Sequence, residues 1–183
     1  MVTKNYYRLL AYLFSRNLKI KAKNYSGNDI SFIANATNQA IVLGWGREDG
    51  SVYAASMANL RTSLSSYGGV IFGNGDTPPT SDDYKLAGDI ITGFNYSQAL
   101  TQVVNETAVT ATAVYTITNT NSTEINIKEI GLIGNASNTA ETANKFLLDR
   151  TVLDTPVTIP AGGIGQVEYT ITFNLPTATT ETS

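Results

Sequence analysis

An alternation of apolar and polar residues dominates the C-terminal half of the chain. Between Ala108 and Thr118 the odd positions are apolar and most even positions are threonine. From Val167 to Leu175 every odd position is again apolar. A period of two places all the apolar side chains on one face of a strand. The pattern therefore predicts a mainly β fold in which antiparallel strands with one buried face pack as a β-sandwich, of jelly-roll or immunoglobulin-like type.

Two segments have helical periodicity instead. From about Lys4 to Phe14, apolar residues recur at i, i+3, i+4, i+7 and i+8 and form one stripe: Tyr6, Leu9, Leu10, Leu13 and Phe14. A second stripe lies near residues 53–66: Tyr53, Met57, Leu60 and Leu64. We therefore expect an N-terminal helix and one further short helix. Thr80 followed by Asp83 also predicts a capped single helical turn that ends near Gly88.

Charge is distributed unevenly along the chain. Residues 1–23 contain six basic residues and no acid, whereas the remainder carries the other six basic residues and all fifteen acids. The predicted organisation is a basic docking helix or arm at 1–23, a β-sandwich at 24–175 and a flexible or extended tail at 176–183. We expect the arm to contact an acidic partner through Tyr6, Arg8, Leu9, Leu10, Leu13, Phe14 and Arg16. The alternative is a helix that packs on its own domain and exposes a basic face.

Composition restricts the chemistry that the chain could perform. It contains neither cysteine nor histidine, so disulfides, zinc fingers and Cys-His or Ser-His-Asp catalytic sites are excluded. The glycines of Gly73-Asn-Gly75 lack the lysine of a phosphate loop and the third glycine of a dinucleotide motif. Three aspartates, at positions 76, 82 and 83, could supply oxygen ligands to Ca²⁺, but their spacing does not match an EF-hand. We expect no cofactor, no metal and no enzymatic activity.

Two charged residues in the C-terminal half are predicted to form a structural ion pair. Glu129 has the strand parity of Ile125 and Ile127, and Arg150 has the parity of Phe146, Leu148 and Val152. Both charges would then point toward the core, where a charge is tolerated only when it is paired and hydrogen-bonded. A catalytic role is the less favoured interpretation, because no nucleophile or cofactor motif accompanies the pair.

Three segments carry a resemblance to a known class of protein. They are Gly68–Leu86, which contains GNGDTPPTSDDYKL, Ile125–Leu132, which contains IKEIGL, and Leu147–Leu153 (LLDRTVL), and they are followed by Val157–Gly163 and Tyr169–Phe173. Their order and motifs, GxGxTxPTxxDxxL, IxEIGL and LLDRTVL, resemble those of structural proteins of tailed bacteriophage particles. The resemblance implies a non-enzymatic virion subunit that is assembled in the host cytoplasm and contacts capsid, neck or tail proteins. A homo-oligomer is expected, as a head decoration or adaptor protein or a tail accessory protein.

The sequence also bears on other partners and functions. No apolar run is long enough to span a bilayer, and no recognisable nucleic-acid module accompanies the basic arm, so neither a membrane nor direct nucleic-acid binding is expected. The alternative function is a receptor- or glycan-binding module with Tyr84, Tyr96 and Asp82 as contact residues. A virion-associated glycan hydrolase would need a carboxylate pair in a cleft, and the sequence indicates none.

Overall fold

The computed structural model describes residues 1–8, 19–33, 41–42, 60–62, 64, 68–137 and 143–174. A short helix begins at Lys4 and is described as far as Arg8. The strands within these ranges are β1 (Lys19–Lys23), β2 (Asp29–Ile33), β3 (Ile41–Val42), β4 (Leu60–Arg61), β5 (Gly69–Gly73), β6 (Phe94–Val104), β7 (Ala108–Asn119), β8 (Ile125–Ser137), β9 (Ala143–Ile159) and β10 (Ile164–Asn174). The described part of the chain is therefore mainly β, as the alternation predicted.

Strand β8 is the centre of a five-stranded sheet. It pairs with β9 along one edge and with β5 and then β3 along the other, and β4 adds to β5 in parallel. A second sheet contains three antiparallel strands in the order β10-β7-β6. A separate hairpin joins β1 to β2 through the predicted turn at Asn24–Asn28, in which Gly27 has a φ of +85°.

The main core lies between the two sheets. Side chains from β5, β8 and β9 meet side chains from β6, β7 and β10: Val70, Phe72, Ile130, Leu132, Phe146 and Leu148 from the first sheet, with Phe94, Tyr115, Ile117, Val167 and Tyr169 from the second. Phe72 contacts the Tyr115 ring edge-to-face at 5.6 Å. Two sheets packed face to face across one apolar layer form a β-sandwich.

The alternation predicts burial correctly for only part of each strand. Ala113, Tyr115 and Ile117 of β7 are buried, but Val109 and Ala111 are only half-buried. On β10, Val167 and Tyr169 are buried while Phe173 is 41% exposed. Since a period of two reports which face is apolar and not how far the opposite sheet extends, the sequence could not show where this burial ends.

The two predicted helices agree with the structure only in part. Only Lys4–Arg8 of the predicted N-terminal helix falls within the described residues, and it is helical. Residues 19–23, which lie beyond the predicted helix but within the predicted arm at 1–23, form β1. The second predicted helix is wrong at Leu60 and Arg61, which form β4; residues 53–59 lie outside the described part. Pairing of β4 with β5 there outweighs the intrinsic helix preference of the segment.

A buried acid also connects the two sheets. Tyr169 of β10 donates its hydroxyl to Asp149 Oδ2 of β9 at 2.7 Å, and both side chains are buried. Burial and the neighbouring Asp149 carboxylate raise the pKa of Tyr169 well above its usual value. The contact therefore holds a phenol and a carboxylate together in the interior.

We expect Tyr169→Phe to lower the free energy of unfolding by about 1–3 kcal/mol, because Asp149 would lose a buried donor. Urea denaturation followed by far-UV circular dichroism measures the change. The matched control is Tyr96→Phe, which removes the hydroxyl of a tyrosine that is 38% exposed. Equal stability of the two variants would contradict the assigned role of the Tyr169 hydroxyl.

Candidate functional site

The chain between β5 and β6 forms a closed loop on the outer face of the five-stranded sheet. It leaves the sheet at Gly73 and returns at Ile90, which forms a β-bridge with Gly73. Next to this bridge, Ile91 N–H donates to Phe72 O at 2.9 Å. A compact loop whose two ends are adjacent is an omega loop, and residues 74–89 are called the omega loop below.

Glu129 of β8 holds the omega loop through backbone amides. Its Oε1 accepts hydrogen bonds from Gly75 N–H at 3.1 Å and Gly88 N–H at 2.7 Å. Its Oε2 accepts one from Ala87 N–H at 3.1 Å and one from Arg150 Nε at 2.7 Å. Glu129 is fully buried, and four donors to its two oxygens replace the water that burial removes.

Arg150 of β9 holds the other half of the same loop. Besides Glu129, its guanidinium donates through Nη1 to Asp83 Oδ2 at 2.8 Å and through Nη2 to the Thr77 carbonyl at 2.7 Å. Asp83 in turn accepts from the Thr80 N–H and hydroxyl at 3.0 and 2.8 Å. Glu129, Arg150 and Asp83, called the ion cluster below, thus tie the loop to two adjacent strands.

Electrostatics favour the charged forms of two members of the ion cluster. Burial alone would lower the pKa of the Arg150 guanidinium, but its bonds to Glu129 and Asp83 outweigh that effect and raise it. Burial alone would raise the pKa of Asp83, yet the hydrogen bonds from Thr80 and Arg150 lower it below its ordinary value. The cluster is thus a compensated ionic contact.

The predicted pair meets, but on the face opposite to the predicted one. Ile125 and Ile127 point into the main core, whereas a bulge between Ile127 and Glu129 turns Glu129 to the outer face. A second register shift, between Leu132 and Ile133 of β8 and their β9 partners, does the same for Arg150. The outer face is covered by the omega loop, so both charges are buried there. The prediction that they face the main core is wrong.

An apolar anchor complements the ion cluster. Leu86 of the omega loop is 2% exposed and packs with three apolar side chains of the outer face: Ile71, Ile133 and Leu147. Tyr25, from the turn between β1 and β2, covers this group and accepts a hydrogen bond from Leu86 N–H at 3.2 Å. The omega loop therefore contributes its own small core.

The glycines of the loop are explained by close backbone approach. A Cβ on Gly75 would lie 2.4 Å from the Gly88 nitrogen, and one on Gly73 would lie 2.7 Å from Glu129 Oε1. On the sheet, a Cβ on Gly131 would lie 2.8 Å from Leu86 Cδ2. All three distances are shorter than any real contact of this kind, so only glycine fits at these positions without a shift of the neighbours.

Two other predictions for the loop can be compared with the structure. Of the predicted capping contacts, Asp83 makes one by accepting the Thr80 N–H, but the Thr80 hydroxyl donates to Asp83 and does not cap its N–H, which bonds to the Thr80 carbonyl at 3.2 Å. The segment makes a single turn at residues 81–82 and no helix follows. The three aspartates considered as Ca²⁺ ligands pair with three separate cations: Asp76 with Lys128, Asp82 with Lys4 and Asp83 with Arg150. In the residues that the structure describes, no group of acids is arranged to hold a metal ion.

The described docking residues take different positions. Tyr6 packs against the main core of its own chain, and its ring stacks on Phe173 at 6.1 Å. Arg8 is exposed. The other predicted docking residues, Leu9, Leu10, Leu13, Phe14 and Arg16, lie outside the described part, as does the tail at 176–183. For Tyr6, the contact with Phe173 agrees with the alternative in which the helix packs on its own domain.

The three predicted glycan contacts are not together. Asp82 and Tyr84 line one surface depression with Lys4, Arg8, Lys23 and Asp29. The ammonium of Lys23 lies 5.4 Å from the centre of the Tyr84 ring, and the ring also abuts Gly27. Tyr96 lies on β6 in the other sheet. Because Lys23 and Gly27 occupy parts of the Tyr84 ring, it is a poor stacking platform for a sugar.

Comparisons with family models, with curated protein sequences and with solved structures gave no match. In the described residues, no helix combines the length and the apolar character that crossing a membrane requires. The role of the site is inferred from its hydrogen bonds and ion pairs. Glu129 and Arg150 use their polar atoms on internal partners, and Asp83 bonds to Thr80 and Arg150, so the site holds a loop in place.

We expect Arg150→Met to lower the free energy of unfolding by about 3–5 kcal/mol, since it leaves Glu129 buried without its cation. Glu129→Gln should also destabilise the fold, because an amide NH₂ would face donors that now bond to Oε1 or Oε2. Thermal and urea denaturation measure both effects. The matched control is Lys128→Met, whose partner Asp76 is exposed. Unchanged melting temperatures for Arg150→Met and Glu129→Gln would show that the ion cluster does not stabilise the fold.

A pH dependence follows from the lowered pKa of Asp83. Since the unfolded chain binds this proton more readily, stability from Asp83 is present above about pH 4 and is lost as pH falls toward the lower pKa of the folded state. Asp83→Asn should therefore reduce the loss of stability between neutral and acidic pH. Urea unfolding at several pH values tests this, with the exposed Asp82→Asn as control; identical pH profiles for Asp83→Asn and wild type would contradict the assignment.

Proposed function

We propose that the chain is a non-enzymatic structural subunit of a tailed phage particle, a head decoration or adaptor protein or a tail accessory protein, that docks on other virion proteins. The sandwich is of jelly-roll or immunoglobulin-like type in this proposal. The return of β10 to pair with β7 after the β8–β9 hairpin supports this, since both types are built from Greek-key connections.

One observation carries the proposal: the three segments that resemble phage structural proteins form a single unit. The loop motif supplies Gly73, Gly75, Asp83 and Leu86, the IxEIGL motif supplies Glu129 and Gly131, and the LLDRTVL motif supplies Leu147, Asp149 and Arg150. All but Asp149 contact one another at the omega loop. The residues that carry the resemblance are thus the ones that hold one loop on the sheet, which supports a structural role for them.

The proposal that the chain docks on a partner is based on the positive charge of the N-terminal segment. The Asn5 side chain bonds to both backbone groups of Lys23, at 2.7 and 3.1 Å, and so joins the first helical turn to β1. Basic side chains of the two elements, Arg8 and Lys21, are exposed. The chain outside residues 1–23 has an excess of acids, so this basic surface is suited to an acidic surface of another subunit.

The test is quantitative mass spectrometry of tailed particles from the organism that carries the gene, after heads have been separated from tails. Enrichment at high copy with heads identifies a capsid decoration or adaptor protein. Enrichment at low copy with tails identifies a tail accessory protein and revives the receptor-binding alternative, which binding of the purified protein to host glycans then tests. Absence from both fractions would overturn the proposal.

The docking mechanism has a separate test in particles that lack the wild-type protein. Complementation with Arg8→Glu should reduce incorporation several-fold, because an acid would replace a base in the basic surface. The matched control is Lys85→Glu, which makes the same charge reversal at an exposed site on the omega loop. Equal incorporation of both variants would show that Arg8 does not contact a partner.

A further inference from the structure

Strand β6 is exposed along nearly its whole length. After Phe94, each of its residues from Asn95 to Val104 is exposed, and β7 is its only partner in the described part of the chain. Several large apolar side chains are among them: Tyr96 at 38%, Leu100 and Val103 at 52% and Val104 at 65% exposure. A long, apolar edge strand that is paired on one side only is a surface on which another strand can add.

The edge lacks the devices that keep such strands apart. Between Asp89 and Glu106 the chain contains no charged residue and no proline. Lysine, inward-pointing charges, proline and bulges are the usual protections of a free edge, and β6 pairs with β7 in one continuous register without a bulge. Nothing in the sequence of β6 opposes pairing with another strand.

The phase of the β6–β7 hydrogen bonds shows which backbone groups of β6 face away from β7. At one end of the β6–β7 ladder, Asn105 N–H donates to Ala108 O, and at the other end Thr120 N–H donates to Gly93 O. Odd-numbered residues of β6 are therefore the hydrogen-bonded partners of β7, because bonded and non-bonded pairs alternate in an antiparallel ladder. The N–H and C=O groups of even-numbered residues, such as Gln98, Leu100 and Gln102, are directed to the open edge.

We propose that β6 pairs antiparallel with β6 of a second copy of this chain and so joins two three-stranded sheets into a six-stranded one. A twofold axis places the same strand on both sides of the interface and makes the strands antiparallel. An uncharged strand brings no like charges opposite each other when it pairs with itself. Strand β6 also has no charged side chain that could recognise a charged partner strand. This favours a second copy of β6 as the partner.

The side chains fit this arrangement on both faces. Cross-strand pairing with Ala113 places Leu100 on the inner face, and pairing with Val109 places Val104 there too. The same residues of the second copy would continue this apolar strip across the joint. Val103 pairs with Thr110 on the outer face, beside the threonine pairs that connect β7 to β10 at 3.2 and 2.9 Å. Pairing would thus bury apolar area on each face together with the backbone groups.

The test is the mass of the purified full-length chain in solution, measured by analytical ultracentrifugation over a range of concentrations. The wild type should be a dimer, and Gln98→Pro should raise the dimer dissociation constant about tenfold or more. Proline there removes an N–H directed to the open edge and leaves the β7 ladder intact. The pair of substitutions Gln98→Lys and Gln102→Lys should have the same effect through charge. Gln166→Lys on the exposed face of β10 is the matched control and should remain dimeric.

Hydrogen exchange distinguishes pairing of β6 with a second copy from coverage of β6 by another segment of the same chain. In the dimer, the amides of Gln98, Leu100 and Gln102 should be protected, and protection should fall on dilution. A wild-type chain that stays monomeric at every soluble concentration would overturn the proposal, whether or not these amides are protected; protection in a monomer would mean that another segment of the same chain covers the edge. A dimer that Gln98→Pro and the double lysine variant leave intact would place the interface elsewhere. None of these outcomes depends on the location of the protein in a particle.

Discussion

The buried carboxylate of Glu129 is the constraint on which the loop side of the molecule depends. A carboxylate that is removed from water costs several kcal/mol unless donors surround it. Here Gly75, Ala87, Gly88 and Arg150 supply those donors, and three of the four come from the omega loop. The sheet and the loop therefore stabilise each other: the loop amides donate hydrogen bonds to Glu129, and Glu129 positions the loop.

The short sequence motifs follow from this dependence. Glycine is required at Gly75 and Gly88 because two backbone segments meet at a distance that leaves no room for a Cβ. Leucine at position 86 fills the apolar half of the contact, and arginine at position 150 reaches Glu129, Asp83 and the Thr77 carbonyl with one planar group. A lysine could not replace this geometry, because its single ammonium lacks the fixed fork of donors. The motif residues are thus explained by packing and charge compensation.

The sequence predicted the fold class better than it predicted the site. Alternation in β7 and β10 is a local property of each strand and survives in the structure. Strand parity correctly predicted that Glu129 and Arg150 meet, but it placed them in the main core. A bulge changes the face of every later residue in a strand, and the bulge in β8 has no signature in the sequence. The role of Asp83 was missed for a related reason. Its pattern with Thr80 predicted a helix cap, and only the loop path, which depends on distant strands, brings it to Arg150.

States in which the omega loop is only partly detached from the sheet are high in energy. A half-detached omega loop would leave Glu129 partly desolvated with some of its donors missing, which is costlier than either full contact with the loop or full contact with water. Partial opening is therefore disfavoured, and the loop is expected to open as one cooperative unit while the main core stays intact. The outer face of the five-stranded sheet is thus expected to be either fully covered by the omega loop or fully open, without stable intermediate positions.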